Sequence, residues 1–187
     1  DLYTSHPFGP LRVKALETFS KSETYFKLMN LEGGEITEEE MESQIESFMN
    51  LMVPSYLHNN DEQSQIIQKF LFWGGIGVAE ANGVVEQSEL AALASIVSED
   101  IYNEQNDILR NLDRSKGSPQ TECYRYGSEV LTFADKIIRH NIIRDLCIIA
   151  LADGSLDEGE MYVLTEIAYM LQVNPVFVEE IIESTKS

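Results

Sequence analysis

The sequence has few basic residues, few cysteines and no long apolar run. Its 187 residues include 13 Lys and Arg against 32 Asp and Glu, which gives a formal charge of -19. This balance excludes a general nucleic-acid binder, because such proteins need a basic surface to contact phosphates. The apolar runs are shorter than the ~20 residues that a transmembrane helix needs, so we expect no membrane segment in this chain.

Only two cysteines and three histidines are present. Two cysteines are too few for a disulfide scaffold, and Cys123 and Cys147 lack the spacing of metal ligands. They either form a single disulfide or remain buried free thiols, and the second case favours a reducing, cytoplasmic location. The glycines of Trp73–Gly77 lack the remainder of a phosphate-binding motif and are better explained by close helix packing against an aromatic side chain.

The charges divide the chain into segments. Residues 31–68 carry nine acids and no base, whereas residues 1–30 carry four bases and three acids. The chain also starts without a Met, so we expect it to be part of a longer protein. The predicted segments are a first unit at 1–30, a glycine-containing linker at 31–36, an amphipathic connecting helix at 37–60 and a helical domain at 61–187.

Helical periodicity and capping signals predict an all-α fold. Thr37-Glu38-Glu39-Glu40 is a capping box that starts a helix, and Pro54 ends it. Ser118-Pro119 and Asn174-Pro175 are further helix starts, with Pro at the first helical position. The other helices are predicted over residues 61–81, 86–97, 98–112, 118–139, 141–152 and 157–171. No stretch shows the sustained alternation that is typical of a strand.

An internal repeat predicts two similar helix-turn-helix hairpins. A shift of 71 residues aligns residues 70–97 with residues 141–168. The identical pairs are Ala79/Ala150, Ala81/Ala152, Gly83/Gly154, Glu89/Glu160, Leu93/Leu164 and Ile96/Ile167. The glycine shared by the two copies lies in an Asn-Gly or Asp-Gly turn, where it can adopt the positive φ that ends a helix. We therefore predict a multi-helix bundle built on the two hairpins.

The second turn carries a cluster of acids, Asp153, Asp157 and Glu160, that could bind a divalent cation. An EF-hand loop is excluded, because Ile149 and Leu151 would occupy positions that need oxygen ligands. Two interpretations stay open. The acids either cap helices or contact a divalent cation or a basic partner.

The turn motif resembles that of the tellurite-resistance protein TerB and its relatives. The matching residues are Ala150-Leu151-Ala152-Asp153-Gly154 and Glu160, echoed by Ala79 to Glu89, and the resemblance covers roughly 61–187. It implies an all-α domain whose acids are linked to metal-ion binding and which acts as an accessory or signalling module without catalysis. Asn82 replaces Asp in the first copy, which argues against two symmetrical metal sites.

A second pattern lies near the start of the chain. Ser5-His6-Pro7, Arg12 and Ala15-Leu16 are similar to the closing segment of the zinc peptidase family that includes the heat-shock protease HtpX and the CAAX prenyl protease. The resemblance implies catalytic roles in a parent active site. His6 would stabilise the oxyanion beside the zinc ion, and Arg12 would contact an acidic group.

The zinc-binding helix of such a peptidase is absent from this chain. No His is followed by Glu, so the chain has no H-E-x-x-H motif and no water-activating Glu. We expect the parent peptidase, and not this chain, to hold zinc, and the chain alone to be inactive.

The predicted function is a non-catalytic C-terminal regulatory or interaction domain of a bacterial zinc-dependent metallopeptidase. Its partner would be its own peptidase domain or another protein. The alternative is a free-standing acidic module that binds a divalent cation or a basic partner in a stress response. The sequence leaves the oligomeric state open.

Overall fold

The computed structural model describes residues 9–52, 56 and 59–185, and the side chains of residues 9–12, 47–52 and 185 lie outside that description. These ranges contain ten α-helices and no strand, which confirms the all-α prediction. The helices are α1 (Gly9–Ser20), α2 (Glu23–Leu28), α3 (Glu38–Met52), α4 (Glu62–Ala79), α5 (Gln87–Ile96), α6 (Glu99–Arg110), α7 (Pro119–Phe133), α8 (Lys136–Ala150), α9 (Glu158–Met170) and α10 (Val176–Thr185). None of them is long and apolar enough to cross a membrane.

The chain divides into two compact units, of which the first runs to Pro54 and contains α1, α2 and α3. Helix α1 packs against α2 and α3. The capping box at the start of α3 forms as predicted, since Thr37 Oγ1 accepts the Glu40 amide at 3.2 Å and Glu40 Oε2 accepts the Thr37 amide at 2.9 Å. The preceding residues 31–36 are anchored by backbone bonds from Glu35 and Ile36 to Lys21.

The second unit, Ser55–Lys186, is organised around α4. This helix packs against α5, α6, α7, α8 and α9, and its four consecutive side chains Phe70–Trp73 are fully buried. Two glycines of α4 let neighbours approach closely. A Cβ on Gly74 would lie 3.1 Å from Leu146 Cδ2, and one on Gly75 would lie 3.1 Å from Leu93 Cδ1. Helices therefore pack closely at these two glycines, as predicted, but the neighbouring side chains are leucine and isoleucine and not the expected aromatic.

Hydrogen bonds join several buried polar groups inside the second unit, although Gln105 Nε2 has no partner among the described residues. Trp73 Nε1 of α4 donates a hydrogen bond to Oε1 of Gln105, a residue of α6, at 2.9 Å. Tyr56 Oη donates to Asp145 Oδ2 at 2.7 Å, and Arg144 Nη2 donates to Asp145 Oδ1 at 2.7 Å. A buried carboxylate is tolerated where it is paired in this way. Burial nevertheless raises the pKa of Asp145, while Arg144 and the Tyr56 hydroxyl act to lower it.

The two predicted hairpins are present as α4–α5 and α8–α9, but the start of the second hairpin differs from the prediction. The sequence predicted one helix over 118–139 and the next one from residue 141, and both of these boundaries are wrong. Helix α7 ends at Phe133, Asp135 has an extended backbone, and its carboxylate accepts the Ile138 amide at 2.8 Å. Asn141 is buried inside α8. The Asp cap provides the break, although neither Gly nor Pro marks it in the sequence.

Replacing Asp135 by Ala should destabilise the second unit by about 1 kcal/mol, because the first turn of α8 loses its side-chain acceptor. Asp135→Asn keeps an acceptor oxygen and should cost clearly less. Urea unfolding followed by circular dichroism measures both variants. Equal losses for Ala and Asn would contradict the capping role.

Candidate functional site

The turns of the two hairpins have the same local geometry. Gly83 and Gly154 have φ values of 81° and 90°, and a Cβ at either position would meet nothing within 4 Å. The backbone conformation, and not crowding, therefore requires glycine there. The preceding residues, Asn82 and Asp153, each use Oδ1 to accept the amide two residues further along, at 2.8 Å in both turns.

The second helix of each hairpin has a glutamate at its third position, and the carboxylate of this glutamate reaches back to the start of the helix. Glu160 Oε2 accepts the Asp157 amide at 2.8 Å, and Asp157 Oδ1 accepts the Glu160 amide at 2.9 Å. In the first copy, Glu89 Oε2 accepts the Glu86 amide at 2.8 Å. The repeated glutamate thus caps a helix in both hairpins.

The fold brings the two turns together at one end of the second unit. Gly159, in the first turn of α9, lies against the Ala81 carbonyl oxygen. A Cβ on Gly159 would be only 3.0 Å from that oxygen, so the close approach of the two turns depends on this glycine. Asn82 Nδ2 donates to Glu160 Oε1 at 3.4 Å. As a result the side chains of Glu89 and Glu160 interact with each other, although 71 residues separate them in the sequence.

Both glutamates of this carboxyl pair are buried, Glu89 with 1% and Glu160 with 3% of its surface exposed. Each uses one oxygen as a helix cap, and Glu160 Oε1 accepts from Asn82. Glu89 Oε1 is buried and has no hydrogen-bond partner among the described residues. An unsatisfied buried carboxylate oxygen is costly, so it marks a position for a proton, a cation or a water molecule.

The surroundings of the pair raise the pKa of both carboxyls. Burial raises the pKa of Glu89, and the charges of Asp153 and Glu86 raise it further. Burial also raises the pKa of Glu160, with added contributions from Asp157, Glu89 and Asp153. The exposed Asp157 differs, since the hydrogen bond from the Glu160 amide lowers its pKa.

The three acids predicted as cation ligands lie around the second turn, but most of their oxygens already accept hydrogen bonds. Asp153 receives the amide and hydroxyl of Ser155, and Asp157 and Glu160 cap each other's amides. Within residues 9–52 and 59–185, no three His, Cys, Asp or Glu side chains are arranged so that they could hold a metal ion. The ligand role of these acids stays a prediction. The sequence pattern placed Glu89 at the first turn, near a helix N-terminus, and gave no sign that it meets the second turn, because only the tertiary structure brings the two hairpins together.

The other candidate residues lie near the start of the chain or in the core of the second unit. His6 lies outside the described residues, and Arg12 falls within α1 without a described side chain. Cys123 and Cys147 are free and buried, and burial raises the pKa of each thiol to about 12. Such thiols are poor nucleophiles at neutral pH.

The carboxyl pair should make stability depend on pH. Both pKa values are raised in the folded protein, so the folded state binds protons more tightly than the unfolded chain does. The free energy of unfolding should therefore fall as the pH rises from about 4.3, the ordinary pKa of a glutamate, through the raised values. Glu89→Gln mimics the protonated form and should weaken this dependence in urea unfolding measured from acidic to neutral pH. Glu158→Gln, which removes one exposed charge from the same end of α9, is the control and should keep the wild-type slope. Parallel profiles for wild type and Glu89→Gln would contradict the prediction.

The comparisons with known proteins identify one family. Residues 72–181 match the tellurite resistance protein TerB family, and this range contains both turns and both glutamates of the carboxyl pair. No curated protein and no solved structure matches the chain. Since the matched range covers more than half of the 187 residues, the chain belongs to the tellurite resistance protein TerB family.

Proposed function

We propose that this chain is the non-catalytic C-terminal part of a bacterial zinc-dependent metallopeptidase, in which the TerB-family domain has a regulatory or interaction role. The observation that supports the proposal is the run from Ser5 to Leu16, which precedes the domain and carries the S-H-P, Arg and Ala-Leu pattern of such peptidases. In the parent enzyme, His6 and Arg12 would complete the active site. The zinc ion and the water-activating Glu would come from a separate H-E-x-x-H helix.

A regulatory or interaction role fits the chemistry of the described residues. The two thiols are buried, and the paired acids act as helix caps, so neither group is placed as a nucleophile or as a general base. Free buried thiols are also compatible with the reducing cytoplasm of a bacterium. The domain would act on its own peptidase domain or on another protein, through its surface.

The test of this function starts from the reading frame upstream of Asp1. We expect an H-E-x-x-H helix there, and we expect the full-length protein to hydrolyse casein only when zinc is present. His6→Ala in the full-length protein should abolish turnover, while the 187-residue chain alone should be inactive with or without zinc. A reading frame without H-E-x-x-H, or zinc-dependent hydrolysis by the isolated chain, would overturn the proposal.

A second candidate function is divalent cation binding by the carboxyl pair. The observation that favours it is Glu89 Oε1, a buried carboxylate oxygen without a hydrogen-bond partner, beside the equally buried Glu160. The surrounding charges of Asp153, Glu86 and Asp157 are all negative, so a cation would relieve their repulsion. Calcium and magnesium favour such oxygen ligands, and water would complete the coordination.

Thermal unfolding with added calcium, magnesium, manganese or zinc tests this candidate. A specific site should stabilise the wild type by RT ln(1 + [L]/Kd), or about 2.7 kcal/mol at a hundredfold excess over Kd. Glu89→Gln and Glu160→Gln should lose most of this gain, whereas the exposed Glu158→Gln should keep it. Sodium chloride at matched ionic strength controls for screening of the -19 charge. Equal stabilisation of all four proteins would exclude the site.

A further inference from the structure

A groove of about 220 Å³ lies between α4, α7 and α9, away from the turn residues of the carboxyl pair. Trp73 and Gly77 of α4 line it, together with Tyr124 of α7 and Tyr162 and Glu166 of α9. Neither the zinc peptidase pattern nor the paired glutamates assign a role to it. It is therefore a separate candidate binding site on the same domain.

The groove is open because one position of the internal repeat lacks a side chain. Gly77 aligns with Ile148 in the second copy, and a Cβ on Gly77 would meet nothing within 4 Å. Gly74, one turn earlier, differs because its missing side chain leaves room for Leu146. Gly77 therefore does not serve helix packing, and its absent side chain leaves space for another molecule.

The lining combines aromatic rings with one acid. Tyr124 and Tyr162 are 49% and 64% exposed, and Glu166 makes no hydrogen bond or ion pair within the described residues. Arg125 follows Tyr124 in α7, but its guanidinium donates a hydrogen bond to Glu122 and stacks on the ring of Tyr126 at 3.8 Å. The negative charge in the groove is thus left for a cation from outside the domain.

Aromatic rings beside a carboxylate form the usual recognition site for an organic cation. An arginine guanidinium suits this groove better than a lysine ammonium, since its planar group stacks on tyrosine rings while it donates to a carboxylate. The formal charge of -19 also attracts a basic segment to the protein before it docks.

We infer that the groove between α4, α7 and α9 binds an arginine side chain from a basic segment of a partner protein. The inference rests on the proposed interaction role of the domain and names the chemistry of its partner. It does not require a peptidase upstream. If the arginine peptide does not bind, the groove inference fails but the peptidase proposal does not. If the upstream reading frame lacks H-E-x-x-H, the peptidase proposal fails but the groove inference does not.

The single tryptophan of the chain provides the readout, because Trp73 lines the groove. The probe is a short Gly/Ser peptide with one arginine, titrated into the 187-residue chain while Trp73 fluorescence is followed. The same peptide with citrulline has nearly the same shape and no charge. We expect saturable binding of the arginine peptide and none of the citrulline peptide. Equal binding of both peptides, or no saturable change with either, would overturn the inference.

Matched variants locate the binding. Tyr162→Ala and Glu166→Gln should each weaken binding of the arginine peptide by about tenfold. Tyr169→Ala removes an equally exposed tyrosine of α9 outside the groove, and Glu179→Gln removes an exposed charge from α10, so both should bind like the wild type. If the control variants bind the peptide as weakly as the groove variants do, the attraction is a general effect of charge, and the inference of a binding site in the groove is wrong.

Gly77→Leu fills the groove from α4. Its Cβ would meet nothing within 4 Å, and the helical backbone at this position does not require glycine, so we expect the melting temperature not to fall. Binding of the arginine peptide should be lost. A folded Gly77→Leu protein that binds like the wild type would contradict the inference. If this variant fails to fold, Tyr162→Ala decides the same question.

Discussion

Burial of helix α4 is the constraint on which the rest of the second unit depends. A helix that is apolar around most of its circumference is stable in water only when other elements surround it. Residues 70–73 place three aromatic side chains and a leucine in succession on α4, and all four are fully buried. The helices α5 to α9 pack around them. The positions of the two turns, the carboxyl pair and the groove all follow from this arrangement.

The internal repeat explains why two glutamates meet in the interior. Each copy needs a glutamate at the third position of its second helix, where the side chain caps the free amides. Packing the hairpins together brings these caps into contact, and Glu89 Oε1 is left without a partner. A local solution to helix capping, used twice, thereby produces a buried carboxyl pair. Such a pair can share a proton, and a cation is the other occupant that we propose for it.

The two copies also differ at positions that contribute to the proposed sites. Asn82 replaces the Asp of the second copy and donates a hydrogen bond to Glu160, which a carboxylate could not do. Gly77 replaces Ile148 and opens the groove beside Tyr162. The repeat maintains the fold through its glycines, alanines and capping glutamates. The positions that diverge, Asn82 and Gly77, carry features that only one copy has.

The sequence was sufficient for those features that depend on neighbouring residues. The capping box at Thr37, the positive φ of Gly83 and Gly154 and most helix bounds follow from local hydrogen bonding and backbone sterics, which act over a few residues. The break at Asp135 was missed because Asp caps are less distinctive than Gly or Pro, and the apolar pattern continues through it. The contact between Glu89 and Glu160, and the groove that Gly77 leaves beside Glu166, were decided by tertiary structure alone. Both depend on how separate hairpins pack, and packing joins residues whose separation along the chain carries no local signal.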